Sequence, residues 1–229
     1  MAEHKKGNMK FIVLLTVFVI GLLTVLVVFN NKEKQEEVSE STSENEAIST
    51  ENQPTLGDAD APVQIVEFGD YKCPSCKAWS EQVYPQLKKD FIDTGDAQFT
   101  YVNVLFHGEE SFLAAKGGEA VYQLAPESFW EFSKNLYANQ PESHDEQWVT
   151  EELLLEVAKE SVEGLDEEKF KENLSSDAVE EAVNVDNGLV EQYDIQLTPT
   201  VMINGRILEN PFDYEKIKSV IEEELEDRQ

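Results

Sequence analysis

Polar and apolar positions divide the chain into three unlike stretches. Residues 11–29, "FIVLLTVFVIGLLTVLVVF", are apolar and carry no charge. At about 1.5 Å per residue, a helix of this run spans roughly 28 Å, close to the hydrocarbon thickness of a bilayer. Residues 30–54, "NNKEKQEEVSESTSENEAISTENQP", are mostly Ser, Thr, Glu, Asn and Gln, with no aromatic residue. They bury too little apolar surface to offset the entropy of ordering, so a flexible tether is expected. From Thr55 to the end, apolar residues take up the periods of strands and helices.

Within that last stretch, Val63–Phe68 predicts a buried strand ended by Gly69-Asp70. A helix is predicted to begin at Pro74, with Cys73 as its cap, and to run through Trp79, Val83 and Leu87 with a kink at Pro85. Ala97–Phe106, rich in β-branched and aromatic residues, is the next strand. Strand, helix and strand in this order form a βαβ unit with a right-handed crossover. Residues 107–195 then repeat apolar positions at three- and four-residue spacing in five segments, with Thr150 and Asp166 placed as helix starts. Strands return in "TPTVMINGRIL", where Asn204-Gly205 predicts a hairpin turn, and an amphipathic helix closes the chain from Asp213 to Leu225. The expected fold class is α/β. A βαβ unit and a ββα unit share a four-stranded mixed sheet, and a helical subdomain is inserted between them.

The N-terminal run meets Asn30, Asn31, Lys32 and Glu33 with no small-residue cleavage pattern, which favours an uncleaved anchor over a removed signal peptide. Lys5, Lys6 and Lys10 precede it and acidic residues follow. The positive-inside rule then makes residues 1–10 a cytoplasmic tail and 11–29 a single-pass transmembrane helix, with 30–54 and the domain 55–229 outside the cytoplasm. The net charge of −29, from 18 Lys+Arg against 47 Asp+Glu, excludes a nucleic-acid footprint, which needs a basic patch. Hydrophobic residues at 41% suffice for a core.

The chain has two cysteines, Cys73 and Cys76, in "KCPSCK". A zinc site needs further cysteines or histidines, and the histidines are only His4, His107 and His144. A structural disulfide across so small a loop removes little unfolded-state entropy. A redox-active pair accounts best for the placement. A thiolate at a helix N-terminus meets unpaired N–H groups and the positive end of the helix dipole, and such thiolates titrate at roughly 3.5 to 7. Cys73 is therefore the expected reactive thiol and Cys76 its resolving partner. Lys72 and Lys77 flank the pair and are expected to be exposed and of little weight. A stabilised thiolate favours the reduced form, so the disulfide form should oxidise other thiols, a property of use outside the cell.

With "EFGDYKCPSC", the long helical insertion, "TPT" and the C-terminal hairpin and helix, residues 55–229 resemble the DsbA-like branch of the thioredoxin-fold thiol–disulfide oxidoreductases, and within it the membrane-anchored BdbD type. The resemblance implies that Thr198-Pro199 is a cis-proline loop facing the pair, and that Thr198, Pro199, Pro74 and Ser75 contact substrate peptide. It implies that Glu67 is a buried acid relaying the proton of Cys76. It also implies insertion of disulfides into exported proteins that arrive reduced or unfolded, re-oxidation by a DsbB-like quinone-linked membrane protein, a monomer, and exchange chemistry without a cofactor. Some BdbD-type proteins hold a structural calcium ion. Here Glu119, placed at the head of the first inserted helix, and Asp186, in the loop-like "VNVDNG", are the candidate ligands. One departure is Ser75, where DsbA-like oxidants often have a histidine. Two other readings stay open: a reductase or isomerase of the same fold, and a non-enzymatic, chaperone-like binding module whose disulfide is structural. Trp79, Phe129, Trp130, Phe132 and Trp148 are read as core, with an exposed subset near Trp79 able to bind unfolded chains.

Overall fold

The computed structural model describes residues 48–143 and 146–226. The expected tail, membrane helix and most of the tether lie outside them. Among the described residues no helix is long and apolar enough to cross a membrane.

Five strands form one sheet in the order β1-β3-β2-β4-β5: β1 Thr55–Leu56, β2 Val63–Gly69, β3 Ala97–Asn103, β4 Thr200–Ile203 and β5 Arg206–Ile207. β2 runs parallel to β3 and antiparallel to β4, so the sheet is mixed, as expected. The fifth strand is the short β1, which pairs antiparallel with β3 and joins Thr55 Oγ1 to Thr100 Oγ1 at 2.9 Å.

Every residue of β2 is buried, because both faces of the sheet are covered. The strand period sends alternate side chains to opposite layers. Val63 and Ile65 pack with Trp79, Val83, Leu87, Ile217 and Val220 on one face. Val66 and Phe68 pack with Val190, Ile195 and Met202 on the other. Glu67 falls on the first face by the same alternation.

Eight α-helices follow the described chain: α1 Pro74–Gln82, α2 Tyr84–Leu87, α3 Glu109–Leu124, α4 Phe129–Ala138, α5 Glu151–Ser161, α6 Glu167–Leu174, α7 Asp177–Gln192 and α8 Tyr214–Glu226. The predicted helix through Leu87 is broken at Val83 and continues as α2 and a π-helical turn, Lys88–Ile92. Pro85 has no N–H to bond the preceding turn. The strand predicted to reach Phe106 ends at Asn103, whose N–H donates to Asp186 Oδ2 at 3.0 Å instead of continuing the ladder.

Helices α3 to α7 are the insertion. Thr150, Asp166 and Ser176 cap α5, α6 and α7 by accepting from the N–H groups of Leu153, Lys169 and Val179. Gly117 lets α3 approach α5, since a Cβ there would lie 2.8 Å from Leu154 Cδ2. The hairpin turn sits at Asn204-Gly205 with φ of 45° and 83°, the paired positive values of a type I′ turn. Asn204 also accepts from the Gln64 N–H through Oδ1 and donates its own N–H to the Gln64 carbonyl.

The packed domain begins before Thr55. Ile48 is buried and its carbonyl accepts from Gln64 Nε2, while the Pro54 carbonyl accepts from the Tyr101 N–H. Residues 48–54, expected as the end of the tether, are thus part of the domain.

Candidate active site

Cys73 occupies the cap position of α1 with φ −79° and ψ 120°, and Pro74 opens the helix. Its carbonyl accepts from the N–H groups of Cys76 and Lys77. Both cysteines are thiols. Cys73 keeps 8% of its surface exposed, whereas Cys76 keeps none. The two differ in acidity in the same sense. A hydrogen bond from the Cys76 thiol, together with bonds from the Thr198 side chain and the Cys76 and Ser75 amides, brings Cys73 down to about 5 against the opposing effect of burial. Burial raises Cys76, and its bond to Cys73 and the charge of Glu67 raise it further. One sulfur is thus an anion near neutral pH while its neighbour stays a thiol.

Facing the pair is the loop before β4. The Thr198-Pro199 peptide is cis, and the Thr198 carbonyl oxygen lies 3.5 Å from Cys73 Sγ, close enough to accept from the thiol form. Ser75 is exposed beside Cys73 and Pro74 is half-buried. Leu197, next to Thr198, is the most exposed large apolar side chain of the described residues, at 74%. Glu67 is buried on the α1 face of β2, and its Oε1 has no hydrogen-bond partner among the described residues. Burial lifts its carboxyl well above the ordinary range, and the charge of Cys73 adds to the shift. A buried neutral acid that senses both sulfurs can give and take protons there.

Asp70 is a site residue that the sequence reading passed over as a turn. Its N–H donates to Cys76 Sγ at 3.4 Å, and its carbonyl accepts from the Cys73 N–H at 2.9 Å. Its buried carboxylate accepts from the Lys72 N–H (2.8 Å), the Phe106 N–H (3.1 Å) and Ser111 Oγ (2.9 Å), and pairs with His107 Nδ1 at 2.7 Å. No local signal marks it, because three of these partners lie 36 to 41 positions away.

The flanking lysines are not the free surface charges expected. Lys72 is buried: its Nζ donates to Glu110 Oε2 at 2.8 Å and to the Glu146 carbonyl at 2.9 Å. Lys77 Nζ donates to the Gln140 carbonyl. Glu110 in turn accepts from the Trp148 and Val149 N–H groups. These bonds strap the segment before α5 to the cysteine turn. Among the described residues, none of the five aromatics read as core forms an exposed group at Trp79. Its ring is buried, its Nε1 donates to the Pro211 carbonyl, and Phe129 and Phe132 are buried as well, with Trp130 and Trp148 partly covered.

Glu119 and Asp186 do meet, although neither sits where the sequence reading placed it. Glu119 lies in the middle of α3, which already starts at Glu109, and Asp186 lies inside α7 rather than in a loop. Asn103 Nδ2 donates to both, at 3.0 Å and 2.7 Å. Burial raises both carboxyls, and for Glu119 the charge of Asp186 adds to the shift. Asp186 Oδ1 and the neighbouring Gln53 Oε1 have no hydrogen-bond partner among the described residues. No cluster of three or more His, Cys, Asp or Glu side chains gathers among the described residues. The donor set is all oxygen, buried and electron-rich, and suits a hard cation such as calcium that completes its shell with water or carbonyls.

A thioredoxin family model matches residues 49–223. The chain is 46% identical over 177 residues to disulfide bond formation protein D of Bacillus subtilis, covering 77% of this chain and 79% of that protein. Among solved structures, oxidised BdbD from Bacillus subtilis superposes with a TM-score of 0.75 at 44% identity, over 79% of this chain and 97% of that one. DsbA of Chlamydia trachomatis superposes with a TM-score of 0.68 at 26% identity, over 77% and 93%.

Proposed function

The chain belongs to the DsbA-like branch of the thioredoxin-fold thiol–disulfide oxidoreductases, and from that premise we propose that it oxidises the thiols of exported proteins outside the cytoplasm through Cys73 and Cys76. It is a protein disulfide oxidoreductase, and exchange in this family needs no cofactor. The observation that carries the oxidising direction is the unequal acidity of the pair. Cys73 is brought down to about 5 while Cys76 is pushed up, so the reduced form holds one stabilised anion that the disulfide form lacks.

In the oxidised enzyme, a substrate thiolate attacks Cys73 Sγ. The Cys73–Cys76 bond breaks, and its electron pair passes to Cys76 sulfur, which takes a proton from Glu67. A second substrate thiolate then attacks the substrate sulfur bound to Cys73. The substrate disulfide forms, and Cys73 leaves as the stabilised thiolate. Two electrons have moved from substrate to enzyme. Thr198-Pro199, with Pro74 and Ser75, supplies the backbone and surface against which the substrate strand lies. A DsbB-like quinone-linked membrane protein takes the two electrons and restores the Cys73–Cys76 disulfide.

Residues 11–29 anchor the monomeric enzyme in the cell membrane, with residues 1–10 in the cytoplasm. The segment from residue 30 to the domain gives the catalytic part its reach. Glu119 and Asp186, with Gln53 Oε1, would hold a calcium ion, which would supply charge neutralisation and stability rather than chemistry.

The test is the reduction potential of the pair in glutathione buffers. A value near the roughly −120 mV of a strong dithiol oxidant supports the oxidase; a value near the roughly −270 mV of thioredoxin assigns the reductase role instead. Thiol oxidation by the parent protein no faster than by Cys73→Ser would leave only the binding-module reading.

A further inference from the structure

Strands β2 and β3 run parallel, and their last paired residues are Gly69 and Asn103. The loops that leave them run side by side. The Val104 N–H donates to the Gly69 carbonyl, and Cys73 and His107 are each the fourth residue beyond the last pair. Asp70 joins the two loops. Its carbonyl holds the Cys73 N–H and its own N–H faces Cys76 Sγ, while its carboxylate meets His107 Nδ1 at 2.7 Å. The imidazole is thus tied to the cysteine turn through a single residue. The ring keeps 40% of its surface exposed, whereas the carboxylate keeps none. A carboxylate only accepts, so Nδ1 carries the proton and the neutral ring presents Nε2 as a bare acceptor. Nε2 has no hydrogen-bond partner among the described residues.

We propose that His107 is the general base for the substrate, taking through Nε2 the proton of each thiol that attacks at Cys73. This role rests on the oxidoreductase reading above and deepens it. Only a thiolate opens a disulfide, and near pH 7 a free thiol of pKa about 8.5 is only about 3% ionised. The acidity of Cys73 does nothing for that incoming thiol. Glu67 is buried on the α1 face of the sheet and serves Cys76. Lys72 and Lys77 are cations held by Glu110 and by backbone carbonyls, and they accept no proton. The carboxylates of Glu109 and Glu110, which open α3, are weaker bases by type than imidazole, and Glu110 is already paired with Lys72 at 2.8 Å. His107 is the only histidine among the described residues. As the first substrate sulfur bonds to Cys73 Sγ and the Cys73–Cys76 bond breaks, His107 takes that sulfur's proton and hands it to water. It then takes the proton of the second substrate thiol, whose sulfur attacks the mixed disulfide and displaces Cys73. The substrate loses two electrons and two protons. The pair gains both electrons, and in the net balance Cys76 ends with one proton while the other goes to solvent, leaving Cys73 an anion.

Single-turnover oxidation of a reduced dithiol peptide tests this in the otherwise complete protein. Near pH 7, full ionisation of the attacking thiol is worth at most about thirtyfold, so His107→Ala should slow formation of the reduced enzyme roughly tenfold. Near pH 9.5 most of the thiol is already an anion, and parent and variant should differ by less than about twofold. Imidazole added to the buffer near pH 7 should speed His107→Ala by a factor it does not give the parent. His107→Gln keeps a donor for Asp70 and fills the space, but offers no base. It should be as slow as His107→Ala and gain nothing from imidazole. Equal rates of parent and His107→Ala near pH 7, or no rescue by imidazole, overturns the proposal. So does equal slowing at both pH values, or full speed in His107→Gln, because His107 would then act only by holding Asp70 and the cysteine turn. These failures leave Cys73-dependent oxidation intact, whereas failure of the oxidoreductase reading appears as peptide oxidation by the parent no faster than by Cys73→Ser.

Discussion

The backbone N–H of Asp70 points at the buried sulfur of Cys76 across 3.4 Å. The peptide unit that does this is held by its own side chain, whose carboxylate accepts from the Lys72 and Phe106 N–H groups and from Ser111 Oγ. Asp70→Ala removes the acceptor and strands those donors, at a cost of about 3 kcal/mol in urea unfolding. Asp70→Asn keeps one oxygen and should lose less than half as much. Both should let Cys76 react with iodoacetamide faster than in the parent protein, a change that loss of global stability alone does not produce under native conditions.

Cys73 alkylation in the reduced protein should follow pH with a midpoint near 5. Its folded-state acidity lies below that of a free thiol, roughly 8.5, so the thiolate stabilises the reduced fold fully above about that pH. That stabilisation is lost as the pH falls from about 9 toward about 5. The disulfide form has no such group. The melting temperature of the reduced protein minus that of the oxidised protein should therefore climb between pH 5 and pH 9. A flat difference, or an alkylation midpoint near 8.5, would remove the basis for the oxidising direction.

What the sequence makes legible here is what is local. The cap and proline of α1 are adjacent, the Asn204-Gly205 turn is two residues, and β2 and β3 are continuous apolar runs, so the sheet and the cysteine geometry follow from short stretches. The break at Val83 and the two-residue β1 depend on packing partners and escape such a reading. So do Asp70 and Lys72. Gly69-Asp70 looks like a strand terminator and Lys72 like a solvated charge, and only the return of residues 106–111 and 146–149 to the cysteine turn gives them partners. Resemblance to a family, rather than any local pattern, singles out Glu119 and Asp186. Their meeting across Asn103 is a long-range fact that helical periodicity does not contain.

Lys72 and Glu110 form an ion pair with little exposed surface, and Glu110 also holds the Trp148 and Val149 N–H groups. Glu110→Gln leaves the Lys72 ammonium largely buried with one carbonyl partner. It should cost about 2 kcal/mol, less than a fully buried pair because Glu110 retains some solvent contact. Lys72→Met in the same chain should recover part of that loss, giving a coupling of about 1 kcal/mol in the double-mutant cycle. Additive losses would mean that the two side chains act separately.

Calcium should raise the melting temperature of this protein, and chelation should lower it. Glu119 and Asp186 are buried together, share one amide donor, and leave Asp186 Oδ1 and Gln53 Oε1 without partners among the described residues. A divalent cation turns that mutual repulsion into coordination. At a free calcium concentration about 100 times the dissociation constant, the gain is about 2.7 kcal/mol. Glu119→Gln or Asp186→Asn relieves the repulsion and removes a hard ligand at once. Either variant should therefore match or exceed the chelated parent in stability while no longer responding to calcium. Magnesium, which demands a tighter octahedral shell, should protect less. If the parent shows no calcium response by calorimetry, the pair is a buried acid–acid contact held by Asn103 alone. Asn103→Ala should then destabilise the protein to the same extent with calcium and with chelator.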